Sequence, residues 1–450
     1  MKCSYLFFII YLIVSCLLLC WFVFLRKEMG FVWNIIVDCL IFFLFSCTYT
    51  IINMNTYLIS NVNIILLDRV QQGVVLVSAG KIAGIYSSEK EISLDLDEVS
   101  RVDGKGRYLS PGFIDIHIHG GGGADFMDGT VEAFLTIAET HATFGTTAML
   151  PTTLTTTQEQ LEKTLGCYEE ACRRNSKGAQ FLGMHLEGPY FAMEQRGAQD
   201  PRYIRDPDPR EYQTIIRRFP FIKRWSIAPE LPGAVEMGEY LVEHNIIAAV
   251  AHSDALYEDV EKAHQVGYTL MTHFYSAMSS IKRVAGHRFA GVVEAGYLID
   301  GFDLEIIADG VHLPKHLLQL ISKFKSHDRI VLITDAMRAA GTQVDESILG
   351  PLVGGTKVII EDGVAKLQDR TAFAGSIATC DLLVRVMRVL VELPLHTIVR
   401  MVTFNAARVL GISNQKGSIQ MGMDADLILF DENIEVSWTM VQGNVIYNQL

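Results

Sequence analysis

Between residues 109 and 350 the chain alternates short apolar runs with amphipathic stretches. Eight runs read as strands: FIDIHIH (113–119), TTAMLPT (146–152), FLGMHLEG (181–188), KRWSIAPE (223–230), IIAAVAHSD (246–254), YTLMTHF (268–274), DLEIIADG (303–310) and RIVLITDA (329–336). Most are short and bounded by polar or glycine-containing segments, as buried strands are. Stretches between them, such as VEAFLTIAETHATFG (131–145) and KHLLQLISKFKS (315–326), carry apolar residues at three- and four-residue spacing and predict helices. Strand–helix alternation repeated eight times predicts an α/β protein with a closed, TIM-like (β/α)8 barrel. An open doubly wound sheet is disfavoured, because GGGG at 120–123 is not the G-x-G-x-x-G turn of that fold.

The flanks have a different texture. Residues 54–108 read as short strands around turns, with GVVLVSAGKIAGI as strand, Ala79-Gly80 turn and strand. Residues 351–370 and 413–450 return to strand-like patterning, and 371–412 predicts barrel-associated helices. The expected arrangement is a small β-sandwich domain built from both chain ends, with the barrel (109–350) between them. Residues 1–53 are set apart by a charge-free run of 21 residues, YLFFIIYLIVSCLLLCWFVFL, long enough to cross a bilayer. A membrane anchor, a signal sequence and upstream sequence translated from a misplaced start compete for this leader. Met54 opens an ordinary enzyme-like sequence, which favours the misplaced start.

The strand ends carry the chemistry. In the first run Asp115, His117 and His119 occupy alternate positions and share a face with Phe113, while Ile114, Ile116 and Ile118 face oppositely. On its own, His-x-His is either a satisfied pair or part of a metal site. The third run ends with His185 and Glu187, the fifth with His252 and Asp254, the sixth with His273, and the eighth with Asp335; His312 lies just beyond the seventh. Active sites of such barrels form at the C-terminal strand ends, so these groups should converge on one mouth. Each has a bland explanation by itself, and Asp335 in particular could cap a following helix. Their shared register favours ligation. Imidazoles and carboxylates without thiolate suit a divalent ion such as zinc or iron, and metal-assisted hydrolysis is the implied reaction class. Asp335 is then the candidate acid/base.

Composition narrows the rest. The net charge is −13 and no basic stripe is present, which argues against a nucleic-acid partner. Five of eight cysteines lie in the leader, and Cys167, Cys172 and Cys380 form no disulfide-like spacing, which points to a reducing, cytoplasmic compartment.

PGFIDIHIHG, HLEGPY, RGAQD, AHSDA, THFYSAM, ADGVH, TDAM, FAGS and KGSIQMGMDADLILFD together resemble the amidohydrolase superfamily, and within it the N-acetylglucosamine-6-phosphate deacetylases. The resemblance runs from about 57 to 448. It implies Glu187, His252 and His273 as ligands of one divalent ion and Asp335 as general acid/base; His117 and His119 match a variable position where members that keep His-x-His can hold a second ion, so one or two ions per chain are expected. It implies that His312, Ala198, Gln199, Ser276 and Ala277 line the sugar pocket, that the substrate is an N-acetylhexosamine 6-phosphate, and that the enzyme is a homodimer. Three positions depart from the family pattern. Gln199 replaces a carbonyl-polarising histidine, Ser276 replaces an asparagine, and the usual Arg-x-Pro-Gly phosphate segment is missing. Among nearby cations Lys282, Arg283 and Arg288, Arg283 is the expected phosphate contact, because its planar fork suits phosphate. An N-acetylgalactosamine 6-phosphate deacetylase, a cyclic-amide hydrolase of dihydroorotase type, and a metal-free barrel scaffold are the rival readings. The dihydroorotase type would need a strand-end lysine, which is absent; a scaffold would have lost ligands, which are all present.

Overall fold

The structure is a computed structural model that describes residues 56–93 and 99–450. The leader, with its competing assignments, lies outside the described residues. Among those described, no helix is long and apolar enough to cross a membrane.

Eight parallel strands form the barrel: Phe113–Ile118, Thr146–Pro151, Met184–Glu187, Ile222–Ile227, Ile247–Val250, Leu270–Met271, Asp303–Ile306 and Ile330–Leu332. They pair in sequence order, and parallel bridges from Thr152 to His185 and from Ile118 to Ala336 close the ring. The third strand is broken. Gln180–Phe181 pairs with the second strand, Met184–Glu187 pairs with the fourth, and Gly183 between them has a φ of 130°. Where Gly183 stands, an added Cβ would lie 2.3 Å from the Lys223 side chain, so the kink needs glycine.

Helices pack outside the strands as the spacing predicts. Val131–Ala142 starts at Thr130, whose hydroxyl accepts from the Ala133 amide, and buries Phe134, Ile137, Ala138 and His141. Pro209–Arg218 begins with proline after the Asp208 cap and buries Tyr212, Ile215 and Ile216. Helix Lys315–Phe324 follows the seventh strand, and Cys380–Leu390, Leu395–Val402 and Phe404–Val409 follow the eighth.

The chain ends share one continuous eight-stranded sheet. Its order is Asn444–Asn448, Val436–Val441, Leu427–Phe430, Tyr108–Pro111, Tyr57–Ile65, Val70–Ser78 and Lys81–Tyr86, with Ser100–Asp103 also paired to Tyr57–Ile65. Its main apolar cluster joins Ile59, Ile64, Val75 and Val77 to Leu427, Leu429, Trp438 and Met440. Tyr108–Pro111 runs through Gly112 directly into the first barrel strand. A Cβ at Gly112 would lie 2.2 Å from the Thr147 side chain, so the two sheets meet there without room for a side chain. The strands expected over 356–369 do form. Among the described residues, however, Thr356–Glu361 and Val364–Leu367 hydrogen-bond with each other and with Glu346–Leu349, not with the sheet of the chain ends. Val358, Ala365 and Leu349 pack on Met337, Ala339 and Ala374, which holds this small sheet beside the barrel mouth.

Candidate metal centre and substrate cavity

Beneath His117 and His119 a polar layer crosses the barrel interior. His185 bridges Thr152 and Ser226, at 3.2 and 2.7 Å. Asp115 accepts from the Thr334 hydroxyl at 2.5 Å. Ile114 and Ile116 pack with Ala148, Leu150 and Val331, whereas Ile118 joins the larger cluster with Phe113 and Phe126. The clean alternation expected of this strand is therefore interrupted. The ladder to the second strand is irregular between Asp115 and Ile118, as at a bulge, and this re-aims the end that carries His119.

Above that layer two donor sets converge. His117, His119 and Asp335 form one, and Glu187, His252 and His273 the other; within each, the ligand atoms lie within 4.8 Å of one another. Glu187 Oε1 is 3.0 Å from His273 Nε2 and 3.3 Å from His252 Nε2. Glu187 also faces the other set, 3.4 Å from His117 Nε2 and 3.3 Å from His119 Nε2. Asp335 Oδ1 lies 3.1 Å from His119 Nε2 and 3.4 Å from His117 Nε2. Glu187 is thus the shared carboxylate between the sets. His252, His273 and Asp335 all have left-handed backbone, with φ of 45°, 31° and 48°. Such conformations are costly for non-glycine residues and cluster at functional sites.

The electrostatics match. Burial opposes protonation of His117, but Glu187 and Asp335 outweigh it and raise its pKa to about 9. Burial likewise opposes protonation of His119, yet Asp335 and Glu187 lift it to about 10. Burial favours the neutral Glu187 carboxyl, but the surrounding imidazoles, His117 foremost, hold it well below the usual carboxylate range. Asp335 is depressed by the same balance. Burial, reinforced by Arg224, pushes His185 well below the ordinary histidine range, so it remains neutral in the layer beneath. These are the properties of a site built for positive charge. Neutral-nitrogen and carboxylate donors at this spacing, with no thiolate among them, fit a divalent cation.

A cavity of about 430 Å³ opens over the two sets. His119, Glu187, His252, His273, Asp335, Ala198, Gln199, Ser276, Ala277 and His312 all line it. Gln199 is tied down at both ends: Nε2 donates to Glu187 Oε2 at 2.8 Å, and Oε1 accepts from the Thr155 amide at 2.9 Å. His312 is held by Asp309, with Nδ1 2.7 Å from Oδ2, and its ring lies 4.7 Å from that of Phe373. Arg283 is not among the lining residues. It sits on the exposed hairpin of Lys282–Val284 and His287–Phe289, and its neighbour Lys282 is paired with Asp254. The lining arginine is Arg196 instead. Sequence reasoning also missed Phe373, and the Gln195 carbonyl that faces His252 Nδ1 at 2.9 Å. Arg196 adjoins GAQD in a motif already singled out, so its position was a readable signal. Phe373 arrives from the small inserted sheet and had none.

The Amidohydrolase family profile matches residues 108–446. This chain belongs to the amidohydrolase family. An N-acetylglucosamine-6-phosphate deacetylase of Lysinibacillus sphaericus is 34% identical over 391 residues, spanning 84% of this chain and 94% of that protein. An N-acetylgalactosamine-6-phosphate deacetylase of Escherichia coli O157:H7 is 32% identical, over 77% of this chain and 90% of its own length. The crystal structure of N-acetylglucosamine-6-phosphate deacetylase from Pasteurella multocida superposes with a TM-score of 0.80 at 29% identity, covering 87% of this chain and 100% of that one. Within the amidohydrolase barrel the six groups of the two donor sets occupy the mouth, whereas His185 lies in the layer beneath and Asp254 pairs with Lys282; the bland assignment of Asp335 as a helix cap fails. The residues after it form a bridge and a turn, not a helix.

Proposed function

We propose that this amidohydrolase removes the acetyl group of N-acetylglucosamine 6-phosphate, giving glucosamine 6-phosphate and acetate. The observation that carries the reading is the pair of donor sets sharing Glu187 at the floor of a sugar-sized cavity, with Asp335 on its wall. Similarity to the deacetylases along most of the chain supports it. Glu187, His252 and His273 would hold one divalent ion, zinc or iron, and His117 and His119 with Asp335 a second. Such an ion supplies a Lewis acid for the amide carbonyl and lowers the pKa of a bound water to roughly 7.

The chain's own residues do the rest. Asp335, held ionised by the imidazoles beside it, accepts the proton of the attacking water. It then delivers that proton to the amide nitrogen as the C–N bond breaks. Gln199 spends one N–H on Glu187 and its carbonyl on Thr155, which leaves one N–H for the substrate. A neutral amide stabilises developing oxyanion charge less than a cationic histidine would. Asp309 orients His312 for a sugar hydroxyl. Phe373 offers the apolar face of an aromatic ring to the pyranose. Arg196 takes over from Arg283 as the phosphate contact in this reading. The homodimer belongs to it through the family resemblance and is checked by sedimentation.

N-acetylgalactosamine 6-phosphate is the second reading, favoured by the relative that acts on it and by Ser276 and Gln199 at two sugar-facing positions. Acetate release from the 6-phosphates of N-acetylglucosamine, N-acetylgalactosamine and N-acetylmannosamine, with unphosphorylated controls, separates them. Release from none of the phosphorylated sugars refutes the proposal.

A further inference from the structure

Directly beneath His117 lies an ion pair with no exposure at all. Arg224 and Glu305 are both fully buried, on the fourth and seventh barrel strands. Their contact is bidentate, with Arg224 Nη2 donating to Glu305 Oε2 at 2.7 Å and Nη1 to Oε1. Arg224 is itself locked: Nη1 donates to the Ile116 carbonyl at 3.2 Å, and Nη2 to the Thr272 hydroxyl at 2.7 Å. An apolar pair of similar size would serve packing at least as well, because burying two charges costs desolvation that their attraction barely repays. The pair therefore calls for a use, and the same Glu305 oxygen supplies one. Oε2 lies 3.6 Å from His117 Nδ1, a buried ring nitrogen with no hydrogen-bond partner. The opposite nitrogen of that ring, Nε2, points at Glu187, His119 and Asp335.

We infer that Glu305, clamped by Arg224, is the positioning residue for the second metal position: it takes the Nδ1 proton of His117 as a hydrogen bond and so presents Nε2 as a ligand. Metal-binding histidines are commonly oriented in this way by a carboxylate behind the ring. Arg224 keeps the carboxylate from turning away and neutralises it, so it adds no net charge beneath the ions. The other set has a different backing, since His252 Nδ1 faces the Gln195 carbonyl. Glu305 therefore acts on one ion and not on the other.

The inference rests on the metallohydrolase reading, and its test counts metal without any substrate. The full chain is stripped with chelator and titrated with zinc alone, by equilibrium dialysis with elemental analysis. Wild type should take up two ions. Glu305→Gln should leave the tighter ion unchanged and weaken the second about 10–100-fold. Because removing one partner of a buried pair threatens folding, the double variant Arg224→Met with Glu305→Leu removes both charges together. It should melt near wild type when metal-free and bind one ion at wild-type affinity. Unchanged second-ion affinity in the folded double variant overturns the inference. Equal weakening of both ions overturns it too, because that signals general loosening, as does saturation of wild type at a single ion. Wild type that takes up no zinc refutes the metallohydrolase reading itself, and acetate release from the wrong sugar leaves the inference standing.

Discussion

Asp335→Asn is the perturbation that divides chemistry from scaffold. The backbone at 335 is left-handed, with φ 48°, and asparagine tolerates that region as well as aspartate does. The Asp335 amide donates to the His117 carbonyl at 2.9 Å, and its carbonyl accepts from Ser376 at 2.8 Å; neither bond involves the side chain. No helix starts there to lose a cap. Folding should survive, and what disappears is a proton acceptor 3.1 Å from His119 and 3.4 Å from His117. General acid–base catalysis is worth about 10²–10⁴-fold, equivalent to roughly 2.7–5.4 kcal/mol of barrier at 1.36 kcal/mol per decade. In a steady-state acetate-release assay kcat should fall by that factor while KM changes less than about threefold, since the lost interaction belongs to the transition state. The ion held by Glu187, His252 and His273 should remain. Asp335 also belongs to the second donor set, so the assay is repeated in excess zinc. A proton carrier cannot be replaced by added metal, whereas a mere ligand can. Near-wild-type kcat, or full rescue by zinc, would refute the assignment.

Glu187→Gln removes the carboxylate shared by both sets and should abolish turnover and reduce bound metal; elemental analysis that finds wild-type content would contradict its role. Arg196→Ala should raise KM for the phosphorylated sugar about tenfold or more while Arg283→Ala leaves it near wild type, and the reverse pattern restores Arg283. Zinc binding should release protons at pH 7, because the metal-free protein holds His117 near pKa 9 and His119 near 10. Apparent affinity should therefore rise with pH up to that range, and calorimetry in buffers of different ionisation enthalpy should show it; buffer-independent heats would exclude it. A chain beginning at Met54 should retain deacetylase activity, since the family profile begins at residue 108 and the sheet of the chain ends begins at Tyr57; loss of activity in a folded protein would give the leader a role.

Much of the barrel was legible because its strands are buried on both faces and its helices on one, so period and length separate them. The six strand-end groups were legible for a related reason. Histidines and carboxylates at the ends of apolar runs are conspicuous, and barrel geometry sends strand ends to one mouth whatever their distance in sequence. What was less legible depended on three-dimensional detail. Arg283 stands out among three neighbouring cations for its planar fork, and sequence could not show that it lies on an exposed hairpin outside the cavity lining, with Lys282 paired to Asp254. The strands of 356–367 have ordinary periodicity, which cannot say which sheet they join. They pair with Glu346–Leu349 because Val358 and Ala365 find their apolar partners at Met337 and Ala374.

The least legible feature is the ion pair beneath the first donor set. Arg224 and Glu305 sit in runs that otherwise read as apolar strand, KRWSIAPE and DLEIIADG, 81 residues apart. Each alone looks like a solvated residue near a strand end, and only barrel closure places them face to face. The left-handed residues His252, His273 and Asp335 were hidden for the same reason, because nothing in the local sequence demands positive φ there. Strain of about 1–3 kcal/mol at each such residue persists only where surrounding contacts fix it. Here those contacts are backbone hydrogen bonds: Asp335 N on the His117 carbonyl, Phe274 N on the Glu305 carbonyl, Ala192 N on the His252 carbonyl. For Asp335 and His273 the backbone contact thus comes from a residue that carries or supports a ligand on another strand. A substitution at Glu305 or Asp335 that shifted its main chain would consequently disturb ligands on neighbouring strands, which is why isosteric changes are the informative ones at this mouth.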